Sequence, residues 1–370
     1  FQVTREEKHS TRGRAHLLAE MLAGDLVTGG WRSDAVDEAL DLCLACKACV
    51  SDCPVNVDMA SYKAEFLHQR YRWRLRPRWH YALGALPLAA RVAALSPAVA
   101  NLVAPLLARL GGVSTARPLP RFTRERPLTL PDGPGARGPV LLWPDCFTRS
   151  FDPDVLHAAA RVLTAAGFVV RVPRGAACCG LTWFTTGQFG MARLVLRGTL
   201  RLLLGAGVPV VGLEPSCVAM LRSDLAELLP DVAAAAVLAG RVRTLAEVLR
   251  EQAPDWQPPE RCADAVQQVH CHQHAVLGHD ADDYLLRAAG VRVRRATGCC
   301  GLAGSFGYQR GHEDLSNALA ERSLAPAIRS MPDAVVLADG FSCRLQIAHT
   351  TGRHALHLAQ LLDAPRPPSG

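Results

Sequence analysis

The sequence predicts an α+β protein of several domains: a helical first domain, then two repeated α/β units, each with a small parallel sheet. Three observations predict it. A tight cysteine run sits among helical patterns near the start. The remaining cysteines fall into two sets of one layout. Around each set, apolar β-branched runs alternate with helix-like segments.

The run is Cys43, Cys46, Cys49 and Cys53-Pro54, spaced C-x2-C-x2-C-x3-C-P. That is the bacterial ferredoxin spacing for a 4Fe–4S cluster. Three thiolates three residues apart wrap one cluster from a loop and a helical turn. In two-cluster ferredoxins the Cys before Pro ligates the neighbouring cluster. Zinc sites usually come as separated C-x2-C pairs, which this run is not. Residues 1–75 therefore read as a helical 4Fe–4S ferredoxin-like domain. Amphipathic pieces lie around Arg14–Leu26 and Asp34–Leu42, and a helix runs from about Asp58 to Tyr71.

Thirteen cysteines occur in 370 residues. Beyond the run, one set is Cys146, Cys178, Cys179 and Cys217; the other is Cys271, Cys299, Cys300 and Cys343. First and last members lie 71 and 72 residues apart. Only Cys262 is left over. An odd number, clustered in metal-type groups, argues for a reducing cytosol rather than a disulfide framework.

The repeat extends beyond the cysteines. VLLWPDCF, AAGFVVRVP, CCGL and VPVVGLEPSC in the first copy answer to VQQVHCHQ, AAGVRVRRA, CCGL and AVVLADGFSC in the second. Matching cysteines lie 125, 121 and 126 residues apart. Gly167 and Gly290 stand where glycines end helices. Each cysteine follows the C-terminal end of an expected strand, where open α/β sheets build their sites. The copies take residues 139–255 and 256–370.

Residues 76–138 are rich in Pro, Arg and Leu. Tyr81–Leu110 is apolar but broken by Arg91, Pro87, Pro97 and Pro105, so a membrane span of ~20 uncharged residues is not expected. Helices packed on the α/β units or on another protein are the expectation, and an interfacial pair lying on a membrane is the alternative. Residues 118–138 read as a Pro- and Gly-rich linker. Arg70–Trp79 interleaves bases and aromatics, a pattern that can bind nucleic acid or anionic lipid; the expectation is a solvated helix end with two packed tryptophans, and no nucleic acid partner is expected. The chain is 49% hydrophobic, 20% charged and carries a formal charge of +7. That composition is globular rather than disordered. The chain begins at Phe1 without Met and reads as a fragment or a processed piece. No G-x-G-x-x-G fingerprint opens a βαβ unit and no P-loop or serine elbow is present, so the reactive groups are thiols.

Two C…CCG…C units after a ferredoxin-like domain resemble the cysteine-rich CCG iron–sulfur proteins. These include the glycolate oxidase iron–sulfur subunit, the anaerobic glycerol-3-phosphate dehydrogenase small subunit, lactate-utilisation proteins and the B-type subunit of heterodisulfide reductase. TREEKHSTRGRAHLL (Thr4–Leu18), ALDLCLACKACVSDCPVNVDMASYKAEFLH (Ala39–His68) and DGFSCRLQI (Asp339–Ile347) are similar to the C-terminal half of fused FAD-linked oxidases. The resemblance covers nearly the whole chain. It implies an FAD domain upstream that oxidises a D-2-hydroxy acid, such as D-lactate, glycolate or D-2-hydroxyglutarate, and a further cysteine motif before Phe1. Cys43, Cys46 and Cys49 would then share a cluster with an upstream cysteine, and Cys53 would serve a second; one cluster on all four is the alternative. Each CCG quartet would hold a cluster or other metal, or act as redox thiols. In the heterodisulfide reductase pattern a fifth cysteine closes each set; here Met220 and Gln346 stand in its place. His270, His272 and His274 are further candidate ligands, or line the site. Glu214, Pro215 and Ser216 resemble the signature before the last cysteine. Electrons would leave the flavin singly and pass to quinone or another acceptor, with the protein in the cytoplasm, at the inner membrane face if the apolar stretch is interfacial. A cluster-bearing binding module and a CCG site that reduces a disulfide or quinone directly are the other two readings.

Overall fold

The computed structural model describes residues 1–124, 128, 135–175 and 177–363. Residues 125–127 and 129–134 of the stretch expected as a linker lie outside them. The first domain opens on α1 (Thr11–Ala23). Ser10 starts it by accepting a hydrogen bond from the Gly13 amide at 2.9 Å, and Gly24 ends it in the left-handed region. α2 (Asp34–Asp41) turns Val36, Ala39 and Leu40 inward. The short α3 (Ala48–Asp52) carries Cys49, and α4 (Met59–Arg70) follows. Asp58 caps α4 and Tyr71 lies just past its end, as the sequence reading has it. Leu18, Met21, Val36, Leu40, Met59 and Phe66 form the small core that joins these helices.

The apolar stretch becomes α5 (Arg78–Gly84), α6 (Leu86–Ala93) and α7 (Pro97–Leu110). α5 and α6 bury His80, Gly84, Pro87, Ala90 and Ala93, which matches the expectation of packed helices. α7 buries none of its residues against the rest of the chain. Two packed tryptophans were expected beside α5. Trp79 is half-buried, but Trp73 is 92% exposed, because the chain turns there through a positive φ of 64°. No described helix is long and apolar enough to cross a membrane.

The first repeat runs β1 (Pro139–Leu142), α8 (Cys146–Phe151), α9 (Pro153–Ala165), β2 (Val169–Arg171), α10 (Leu181–Thr185), α11 (Phe189–Leu204), β3 (Val210–Gly212), α12 (Pro215–Ala219), a π-turn over Met220–Asp224, α13 (Leu225–Leu228), α14 (Ala233–Arg241), β4 (Val242–Thr244) and α15 (Leu245–Gln252). Its sheet is parallel with order β2-β1-β3-β4; Val140 stands opposite Val170, and Leu142 opposite Val211. The second runs β5 (Asp264–Gln267), a π-turn over Gln273–Leu277, α16 (Asp280–Ala288), β6 (Arg292–Arg295), α17 (Glu313–Glu321), α18 (Leu324–Arg329), β7 (Val335–Leu337), α19 (Phe341–Thr351) and α20 (Leu358–Asp363). Its parallel order is β6-β5-β7, and a lone parallel bridge from Leu337 to Leu356 stands where β4 stands in the first. Gly167 and Gly290 take φ of 92° and 72° after α9 and α16, a conformation that costs a side chain most.

The two repeats share one core. Leu156, Leu163 and Val248 of the first mix with Leu285, Leu361 and Leu362 of the second, and α20 lies along α9, where both oxygens of Asp363 accept from Arg161, from Nε at 2.8 Å and Nη2 at 2.6 Å. Residues before the linker also serve the second repeat: Val113 bridges to Gln309, and buried Arg117 reaches α19.

Candidate metal centres

The ferredoxin-type loop is shaped by its backbone. Ala45 and Lys47 both take positive φ, 52° and 58°, which few residues other than glycine adopt. The Cys49 sulfur accepts from the Met59 amide at 3.4 Å. Burial pushes the Cys46 thiol up to about 11; the Ala48 amide opposes this, and the charges of Cys43 and Cys49 add to it. Two buried cations stand beside Cys43. Arg14 donates to the Ala39 carbonyl at 2.7 Å, and Lys63 to the carbonyls of Cys43 and Asp41 at 2.8 and 3.1 Å. Burial lowers the pKa of both, and the neighbouring Cys43 is the largest influence opposing it. Three sulfurs with buried positive charge fit an anionic cluster better than three neutral thiols, since a buried cation needs a counter-charge. Cys53 sits at the outer end of α3, where the amides of Val57, Val55 and Asn56 hold its thiol below the usual range.

Composition and spacing gave no sign of the loop's anchors. Lys47 is buried and reaches Asp58, at 3.0 Å, and Asp224 in the first repeat. From the second repeat, His272 Nε2 lies 3.2 Å from the Ala45 carbonyl. A carbonyl only accepts, so Nε2 carries the proton; burial takes this ring down to about 3, so it stays neutral. His274 Nε2 lies 3.3 Å from Asp52. These histidines tie the second repeat to the loop.

Within each quartet the structure brings sulfurs close in pairs. Cys146 opens α8, and Asp145 caps that helix through the amides of Phe147 and Thr148 at 2.9 and 3.0 Å. Cys179 and Cys217 have sulfurs 3.1 Å apart. Cys178 takes hydrogen bonds from Cys146 and Cys179, which hold it well below the usual thiol range. Cys217 is also drawn down by Cys179, but burial and the charges of Asp145 and Glu214 push it up to about 12. In the second quartet Cys343 lies 3.6 Å from Cys300. There Cys300 is the acidic sulfur, lowered by Cys299 and Cys343, while burial and the charge of Cys46 raise Cys271. All thirteen cysteines are free thiols. Among the described residues, the one trio of ligating atoms within 4.8 Å of one another is His279, Asp280 and Asp283. The CCG glycine has a steric reason: Gly180 and Gly301 take φ of 76° and 85°, and a Cβ on Gly301 would sit 2.1 Å from the Ser316 carbonyl oxygen. The places of the missing fifth cysteines are filled. Met220 is fully buried in the core, and Gln346 takes a 2.8 Å hydrogen bond from Arg117.

Glu214 joins the repeats. It accepts from the Ser216 hydroxyl at 2.9 Å and from the Phe341 amide at 2.8 Å, with His270 Nε2 4.0 Å away. Burial raises its pKa. Gly340 allows this meeting, because a Cβ there would lie 2.2 Å from the His270 ring. Arg344 completes the seam with Asp152 at 3.3 Å. Above the seam lies a mostly apolar cavity of about 820 Å³, lined by Cys43 and Cys46 from the loop, Glu214, Ser216, His270 and Cys271 from the repeats, and side chains of α5, α6 and α7.

A sequence profile described as a cysteine-rich domain, CCG, matches residues 140–222 and 279–348. The chain carries two CCG cysteine-rich domains. They are the two repeats, and all eight quartet cysteines lie within the matched stretches or beside them, Cys271 preceding the second. Relatives extend the likeness to the first domain. The chain is 27% identical over 416 residues to the D-2-hydroxyglutarate dehydrogenase of Pseudomonas putida, covering 96% of this chain and 40% of that protein. The Escherichia coli protein of that name is 25% identical over 366 residues, covering 89% and 34%. The glycolate oxidase iron-sulfur subunit of Escherichia coli is 26% identical over 392 residues, covering 97% of this chain and 89% of the subunit. The chain thus spans well under half the length of the dehydrogenases and nearly all of the subunit.

Proposed function

We propose that this chain is the iron–sulfur electron-transfer module of an FAD-linked 2-hydroxy acid dehydrogenase. An FAD-linked oxidase domain, in the same polypeptide or a separate subunit, would oxidise a hydroxy acid of the D-2-hydroxyglutarate, glycolate or D-lactate type. The observation that carries the reading is that Cys46 of the ferredoxin-type loop and Cys271 of the second quartet line one cavity. Cys43, Cys46 and Cys49 would hold a 4Fe–4S cluster and Cys53 would contribute to a second. Cys146, Cys178, Cys179 and Cys217, and Cys271, Cys299, Cys300 and Cys343, would hold the metal of the CCG domains. Such clusters take up one electron at a time, which is what couples a two-electron flavin to a carrier. The chain's own residues do the rest. Arg14 and Lys63 place positive charge beside Cys43, where an anionic cluster would need it. Lys47 fixes the loop against the first CCG domain, and His272 fixes it against the second. Burial keeps water from the quartets. Quinone or another carrier would take the electrons, in the cytoplasm or at the inner membrane face.

Anaerobic reconstitution tests this. Full-length protein should bind iron and acid-labile sulfide and show a cubane EPR signal when reduced. C43S, C46S and C49S should each remove it. If signal and iron survive all three substitutions, the reading fails.

A further inference from the structure

The cavity has an outer end that electron transfer between thiols does not explain. Its inner end holds Cys46, Cys271 and Glu214; its outer wall is Leu86, Val99 and Ala104 of α6 and α7. So α7 turns one apolar side to the cavity. Its other side faces out, with Leu102, Leu106 and Leu110 exposed by 80%, 61% and 59%, and Leu88, Val92 and Leu95 extend the patch onto α6 and the turn after it. A helix apolar all round belongs in a core or in lipid, and an exposed patch of this kind marks a contact surface. At 14 residues α7 is too short to span a bilayer, which needs ~20.

Charge decides what covers this surface. From Phe66 to Arg124 the chain has ten arginines and no acidic residue. Arg72, Arg74, Arg78 and Arg109 are exposed, and so is Trp73. Apolar helices flanked by arginines and an interfacial tryptophan complement anionic headgroups over acyl chains. We infer that α6 and α7 seat this protein on an anionic lipid leaflet, and that the cavity beneath them takes a lipid-soluble quinone from that leaflet. The quinone half rests on the electron-transfer reading above; the lipid half does not. A volume of about 820 Å³ suits a small-molecule site, typically ~300–1,000 Å³. An apolar outer wall with polar groups at the inner end suits a ring that carries a long hydrocarbon tail.

The full chain is sedimented with vesicles of phosphatidylcholine, with and without phosphatidylglycerol. It should follow the anionic vesicles at least about tenfold more tightly than the neutral ones. L102E/L106E, at outward positions that leave the circular dichroism unchanged, should lose this binding. Absence of binding to anionic vesicles, or binding that the double variant keeps, overturns the docking surface. So does a double variant that loses the flavin domain yet keeps the vesicles, since the face would then be a protein interface. For the cavity, an azido-quinone in the same vesicles is photolysed and mapped. Labels should fall on residues 79–108 or 302–309, be displaced by decylubiquinone, and drop about tenfold in A104W, or in L86W where that variant does not fold. Labels elsewhere, or labels blind to these substitutions, overturn the quinone site. Iron and EPR on the same sample separate the two readings. Clusters without labelling sink this inference alone; labelling without clusters supports the site and sinks the electron-transfer reading.

Discussion

His80 is a histidine that the fold keeps neutral. Burial takes it down from 6.5 to about 3, and the charges of Arg76 and Lys63 push the same way. Its ring stands edge-on to Tyr71 and Trp79, and its Nδ1 has no hydrogen-bond partner among the described residues. The unfolded chain takes a proton near 6.5 that the folded ring refuses. Stability from this site is therefore complete above 6.5 and lost as pH falls toward 3, by up to about tenfold in the folding constant per pH unit. H80F keeps the ring packing and removes the titration. Denaturant midpoints measured from pH 7 to 5 should fall less steeply in H80F than in the parent; equal slopes would mean that other groups carry the acid sensitivity.

At the level of elements, α4 depends on one carboxylate. Asp58 accepts from the amides of Ala60 and Ser61 at 3.0 and 3.1 Å and from Lys47 at 3.0 Å. Burial would raise its pKa, but the Lys47 charge and the Ser61 hydrogen bonds hold it below 3.8. Its contribution is present above that value and disappears as pH falls through the depressed one. D58A should lower stability at pH 7 by about 1–2 kcal/mol, the worth of an N-cap, and D58N by less, read from urea unfolding. The start of this helix near Asp58 was legible in the sequence, as were Gly167, Gly290 and the placing of every quartet after a strand, because each has a local cause: a helix end, a left-handed turn, a sheet edge. What was not legible joins distant residues. Arg117 meets Gln346 across 229 positions, so the residue just before the stretch read as a linker is part of the second CCG domain's packing. α7 was expected to pack on the α/β units or on another protein because its residues are apolar; that it stays open on this chain follows from what its neighbours leave uncovered, which periodicity does not report.

Across the whole molecule, three parts are locked by few polar contacts. Lys47 and Asp224, 177 residues apart, are the tightest of them. Removing one partner leaves a buried charge, whereas replacing both with apolar residues leaves none. D224A should therefore cost about 3–5 kcal/mol, and K47M/D224L clearly less. Cys46 alkylation should speed up in D224A by opening the loop. Equal penalties for the single and double variants would show that the pair is not what holds the loop.

That lock also sets an order of events. While the chain is being made, Lys47 and Asp58 emerge long before Asp224, and until then the Lys47 charge has Asp58 alone for a partner. The loop of Cys43, Cys46 and Cys49 stays open to delivery through that interval, and the arrival of the first CCG domain shuts it. The same alkylation measurement on chains ending before and after residue 224 reads this directly: a keyed closure, in which the first domain finishes folding only when the second is there to receive it.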